Sequence, residues 1–158
     1  MTPTLSEGQF VVSLKGAKFE PGDLVSFYIG NKLLVKRVIA GAGDWVDITE
    51  DGTVYVNGET LDEPYVDKLA FGQCDLKLPY QVPESSYFLM GDHRESSVDS
   101  RSSSVGCVSK DQIVAALNAV RSLKEESKSW GGAEIIGVHA EGPFINPSKK
   151  STKIFLKN

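Results

Sequence analysis

The sequence predicts a mainly β protein of antiparallel strands and hairpins, followed by a C-terminal appendage. Three observations carry this. Short apolar, β-branched runs recur from Gln9 to about Leu61; Gly, Asn and Asp interrupt them at hairpin spacing; and the composition changes after Val120.

In chain order, Phe10–Leu14 and Leu24–Ile29 read as strands, Gly30-Asn31 as a turn, and Leu33–Ala40 as the returning strand. Asp51-Gly52 and Asn57-Gly58 bracket Thr53-Val54-Tyr55-Val56, and Gly and Asn supply the positive φ that tight hairpins need. From Asp62 to Pro83 there are three prolines and little periodicity, so this stretch is expected to be a loop excursion with one short strand at Leu76–Leu78. Ser86–Met90 resumes strand character. Ser109-Lys110-Asp111-Gln112 has the form of a capping box, and Ile113, Ala116, Leu117 and Val120 have helical spacing. Local rules therefore favour a helix there, while a strand remains open as the alternative. Beyond Val120 a Lys/Glu/Ser stretch, Gly131-Gly132 and a Pro/Lys-rich end read as a linker and tail. The expected division is 1–120 as the domain and 121–158 as the appendage.

The chain has 158 residues with an apolar fraction of 41%, enough for one domain with its own core. A formal net charge of −4 without any long Lys/Arg block argues against nucleic acid as a partner, because phosphate contacts need clustered cations. No run approaches the roughly 18 apolar residues of a membrane span. His93 and His139 show no zinc-ligand spacing with the two cysteines, so neither a metal nor a cofactor is expected. Cys74 and Cys107 are open to two readings, a disulfide in an oxidising compartment or two free thiols.

Strand alternation puts Leu34, Lys36 and Val38 on one face and Val35, Arg37 and Ile39 on the other. Lys36 is thus a charge among apolar neighbours. Desolvation lowers a lysine pKa from about 10.4, and a fall of roughly 3 units would leave a sizeable neutral fraction at pH 7, suited to a general base. A lysine whose stem covers the core while its head reaches water is the competing reading of the strand pattern alone. Gly91-Asp92-His93-Arg94-Glu95-Ser96-Ser97-Val98-Asp99-Ser100-Arg101 concentrates charge and hydroxyls after an apolar strand, which turn chemistry by itself can explain.

Together these stretches resemble the type I signal peptidase family from Met1 to about Leu117. Met1-Thr2-Pro3-Thr4-Leu5 looks like the box that follows the family's catalytic serine. Pro21–Phe27 looks like the next box, and Val35–Asp44 is similar to the box that bears the base. Gly91–Arg101 is similar to the family's Gly-Asp-Asn-Arg-x-x-Ser-x-Asp-Ser-Arg, with His93 and Glu95 as departures. The resemblance implies a signal-peptidase-like β fold and a serine endopeptidase with Lys36 as general base. It implies that Ser97 orients the amine, that Asp99 and Arg101 form a supporting ion pair, and that Met1, Leu5, Leu33 and Val35 lie at a shallow cleft for small side chains. The implied partners are signal-peptide-bearing preproteins and, through an N-terminal anchor, the membrane, with the domain on the extracytoplasmic side.

The attacking serine belongs immediately before Met1, and neither Ser6 nor Ser97 replaces it. The expectation is that the 158-residue chain is nearly inactive, its nucleophile and anchor lying upstream. A family member without catalytic residues that assists surface-fibre assembly is the alternative. A self-cleaving repressor has less support, since no DNA-binding module is visible. The tail at 133–150 contains His139-Ala140-Glu141-Gly142-Pro143, which resembles a short motif of N-acetylglucosamine-6-phosphate deacetylases. Without the rest of that enzyme's site it reads as a foreign or fused segment.

Overall fold

The structure, a computed structural model, describes residues 1–5, 19–116, 134–139 and 153–157. Nine strands make two sheets in the body of the chain. These are β1 (Leu24–Ile29), β2 (Lys32–Ala40), β3 (Trp45–Ile48), β4 (Val54–Val56), β5 (Glu59–Thr60), β6 (Tyr80–Gln81), β7 (Ser86–Met90), β8 (Val108–Ser109) and β9 (Ile113–Ala116). One sheet has the order β8-β7-β2-β1-β9 and the other β5-β4-β3-β6, with all pairings antiparallel. Two tail strands, β10 (Glu134–His139) and β11 (Lys153–Lys157), pair with each other.

The turn residues act as the sequence predicts. Ile29 pairs with Lys32 across Gly30-Asn31, and Val56 pairs with Glu59 across Asn57-Gly58. Both central residues of the second turn have positive φ, 55° and 84°, the geometry that matches strand twist in a two-residue hairpin. Alternation along β2 then divides the interior. Val38 joins Val25, Phe27, Leu89, Val108 and Ile113 in one core, whereas Ile39 joins Val46, Val54, Val82, Phe88 and Met90 in a second. A register shift between Val38 and Ala40 turns Ala40 into that second core as well. β2 and β7 therefore run between two apolar layers, which fixes the residues at their ends.

Two expectations need correction or completion. No strand forms at Leu76–Leu78; those leucines pack on the second core, and the paired segment is Tyr80–Gln81, just past Pro79, against Trp45 and Val46 of β3. Pro79 lacks the N–H needed to carry a ladder through it. Of the two readings after Ser109, the strand is the one formed. Lys110–Gln112 makes a single 3-10 turn in which the Gln112 side chain accepts the Ser109 N–H, and Ile113–Ala116 then pairs with β1. Burying Ile113 beside Phe27 outweighs the local helical pattern. The expected strand at Phe10–Leu14, and Leu117, Val120 and Glu141, lie outside the described residues. Cys74 and Cys107 are free thiols; burial pushes the Cys107 thiol up to about 11, only partly offset by its bond with Tyr80.

Candidate active site

β2 carries Lys36 toward a cleft, and β7 ends at Met90 to deliver Gly91 and the polar segment beside it. The Lys36 Nζ donates to Ser97 Oγ at 2.6 Å. Ser97 Oγ is the acceptor in this bond, and its hydroxyl lies close enough to Asp99 to help lower that carboxyl's pKa. Gly91 is required at this point. A Cβ there would lie 2.2 Å from Ser97 Oγ and 3.3 Å from Lys36 Nζ.

Asp99 and Arg101, both fully buried, form an ion pair with Nε to Oδ1 and Nη2 to Oδ2 each at 2.9 Å. The Gly91 N–H also donates to Asp99 Oδ2 at 2.9 Å. Arg101 spends its remaining donors on the carbonyls of Ala70, Phe71, Arg94 and Ser97. Burial pushes the Asp99 carboxyl up, but Arg101, the Gly91 N–H and Ser97 together outweigh it and hold Asp99 below the usual carboxylate range. Asp99 therefore stays ionised.

Burial is also the largest influence on Lys36, and it pulls the amine below its ordinary 10.5. Asp99 opposes this, Arg101 reinforces it, and Asp92 opposes it more weakly. The net result is a lysine whose ammonium form is less favoured than that of a free lysine.

A second buried pair lies behind β2. Arg37 donates from Nε and Nη2 to Asp92 at 2.9 and 2.7 Å, from Nη1 to the Gly22 carbonyl at 2.7 Å, and stacks 3.8 Å from the centroid of Tyr65. Thr4 is tied into this pair, donating its hydroxyl to Asp92 and accepting from Arg37 Nη2 at 3.2 Å. The N-terminal segment is thereby docked beside the lysine. A third arginine, Arg94, donates to both carboxylate oxygens of Glu63 and to the Gly91 carbonyl at 3.0 Å.

The cleft has a volume of about 580 Å³ and is lined by Met1, Lys36 and Ser97 among others, with Ile29, Leu34, Val98 and Val105 supplying apolar surface. His93 also lines it, its Nδ1 2.8 Å from Ser96 Oγ. Of the four residues that the resemblance puts at the cleft, only Met1 is among its lining. Leu5, Leu33 and Val35 are not, and alternation turns Leu33 and Val35 away from the Lys36 face, where Leu34 stands instead. Sequence reasoning did not pick out Thr4, Arg37, Glu63, Tyr65 or Arg94 as part of the site. Thr4, Arg37 and Arg94 nevertheless lie inside the stretches that carry the resemblance, and Arg37 gave a further signal, a charge on a strand otherwise bound for the interior.

The profile of the family described as "Signal peptidase, peptidase S26" matches residues 1–121. The chain belongs to that family. It is 37% identical over 138 residues to a signal peptidase IB of Staphylococcus aureus (strain COL), covering 75% of this chain and 71% of that protein. It is 35% identical over 126 residues to a signal peptidase I of Bacillus licheniformis, covering 72% of this chain and 67% of the relative. A crystal structure of a signal peptidase I from Enterococcus faecalis V583 aligns with a TM-score of 0.54 at 27% identity, covering 65% of this chain and 98% of that one. Membership makes the chain a serine endopeptidase by family and agrees with its mainly antiparallel β architecture. Among the described residues no helix is long and apolar enough to cross a membrane.

Proposed function

We propose that this chain is the extracytoplasmic catalytic portion of a membrane-anchored signal peptidase that removes signal peptides from exported preproteins by serine–lysine acyl transfer. The observation that carries the proposal is the 2.6 Å contact of Lys36 Nζ with Ser97 Oγ in a cleft that Met1 also lines. A serine joined directly before Met1 would enter at the cleft that Lys36 lines. Neutral Lys36 takes the proton from its hydroxyl as the oxygen attacks the peptide carbonyl; the lysine then gives that proton to the leaving amine, and water repeats the cycle on the acyl-enzyme. Ser97, which accepts from the amine, fixes the direction of the lone pair. The Asp99–Arg101 pair holds the loop in place and takes no part in proton transfer.

Substrate binding follows from the sheet. β7 pairs with β2 only at Arg37, Val38 and Ala40, so among the described residues the same edge of β2 from Lys32 to Lys36 faces the cleft without a partner strand. An extended peptide pairing there sets its side chains against Leu34, Ile29 and Val98, in a space that favours small apolar groups.

The test compares a polypeptide beginning at Met1 with one bearing an added serine before it, both incubated with a preprotein whose signal peptide ends in small residues. The serine-bearing form should cleave and the Met1 form should not. Lys36→Ala in the serine-bearing form should cost about 10²-fold to 10⁴-fold, the usual worth of a positioned general base. Absence of cleavage by the serine-bearing form would move the reading to a non-catalytic member that assists surface-fibre assembly.

A further inference from the structure

We infer that Glu63 is a positioning residue for the Lys36–Ser97 pair, acting through a strap formed by residues 63–71. Three buried arginines of the site all reach this strap. Arg94 grips the Glu63 carboxylate with both terminal nitrogens, Arg37 lies over the Tyr65 ring, and Arg101 donates to the carbonyls of Ala70 and Phe71. Glu63 is where two of these meet, since it also accepts the Tyr65 hydroxyl at 3.1 Å. The Arg94 and Glu63 side chains are 0% and 4% exposed, so neither charge can be left alone at small cost.

The line from Glu63 to the reacting groups is short. Arg94, held at its far end by Glu63, donates Nε to the Gly91 carbonyl at 3.0 Å, while its own carbonyl accepts from Arg101. Gly91 packs so closely on Ser97 and Lys36 that no Cβ fits there, and its N–H binds Asp99. On the other side, Tyr65 covers Arg37, the residue next to Lys36 on β2. Glu63 thus holds both the floor beneath the pair and the neighbour that fixes the strand. Tyr65 reports the same enclosure, its hydroxyl pushed up first by burial and then by the Glu63 charge. Loosening Gly91 beneath Lys36 admits water to the amine and relieves the burial that lowers its pKa.

This inference rests on the proposed role of Lys36 for its functional meaning, but its test does not depend on cleavage. Glu63→Gln keeps the shape and the acceptor for Tyr65 while removing the charge that orients Arg94. Two readouts are taken on the folded 158-residue chain: the pH dependence of the Lys36 side-chain NMR resonances, and hydrogen exchange at the Gly91 amide. The variant should titrate Lys36 higher than the unaltered chain and exchange Gly91 at least about tenfold faster, with exchange in the β3–β4 hairpin unchanged; Glu63→Asp should fall between. A folded Glu63→Gln chain with Gly91 exchange and Lys36 titration both unchanged overturns the inference, as does acceleration spread evenly over the molecule. If Lys36 titrates at its ordinary value even in the unaltered chain, the general-base reading fails while Gly91 exchange still decides the role of Glu63.

Discussion

Replacing Gly91 by alanine is the sharpest single perturbation of this site. The added methyl would lie 2.2 Å from Ser97 Oγ and 2.8 Å from Ser97 Cβ, where an ordinary contact begins near 3.4 Å. Ser97 must therefore retreat by roughly 1 Å. From a starting distance of 2.6 Å, that lengthens the Lys36–Ser97 contact to the edge of hydrogen bonding or beyond. Ser97 is only 8% exposed and its loop is fastened by Asp99 and Arg101, so the strain cannot relax into solvent. Overpacking of this kind costs about 1–3 kcal/mol. A misplacement of about 1 Å in a reacting constellation costs on the order of 10²-fold in rate. The assay pairs urea denaturation with cleavage by the serine-bearing chain. Gly41→Ala is the control, because its nearest neighbours to a new Cβ are 3.8 and 4.0 Å away, and it should change stability by less than about 0.5 kcal/mol. Equal stability and equal cleavage in the Gly91→Ala and Gly41→Ala chains would refute the reasoning.

Two further predictions concern the charges. Asp99→Ala strands the Arg101 guanidinium in a site with no solvent access, and urea titration should show a loss of about 3–5 kcal/mol, the cost of removing one partner from a buried pair. Because the Lys36 amine is depressed in the folded chain, the unfolded chain binds more protons between the folded pKa and 10.5, so the lysine's contribution to stability rises with pH across that window. Lys36→Met should abolish that part of the pH dependence and stabilise the chain near neutral pH, as measured by thermal melts from pH 6 to pH 10.

The hairpins were legible because their causes are local. Asn57 and Gly58 have to adopt positive φ, and few other residue pairs do so at low cost. The two faces of β2 were equally legible, since a period of two needs no knowledge of the partner strand. Where local pattern left the outcome open or pointed elsewhere, a distant partner decided. Ile113 has helical companions in sequence but pairs beside Phe27, and Leu76 and Leu78 face a core that sequence alone does not reveal. Lys36 and Ser97 were singled out by motif order, because the strand pattern alone also fitted a solvated lysine. The arginine network escaped for two physical reasons. Arg37 meets Asp92 across 55 residues and Arg94 meets Glu63 across 31, and full burial of arginine is the opposite of what its composition suggests. Leu33 and Val35 are close to Lys36 in the motif, whereas the pleat puts Leu34 on the Lys36 face and in the cleft lining.

The central claim is that folding makes Lys36 a better base than a free lysine, and direct titration of its ε-amine tests this most simply. Side-chain NMR resonances of Lys36 are followed against pH in the folded chain and in the same chain unfolded by urea. The account predicts a midpoint in the folded chain clearly below that of the unfolded chain, with the difference lost when burial is relieved. A folded midpoint equal to or above the unfolded one would contradict it.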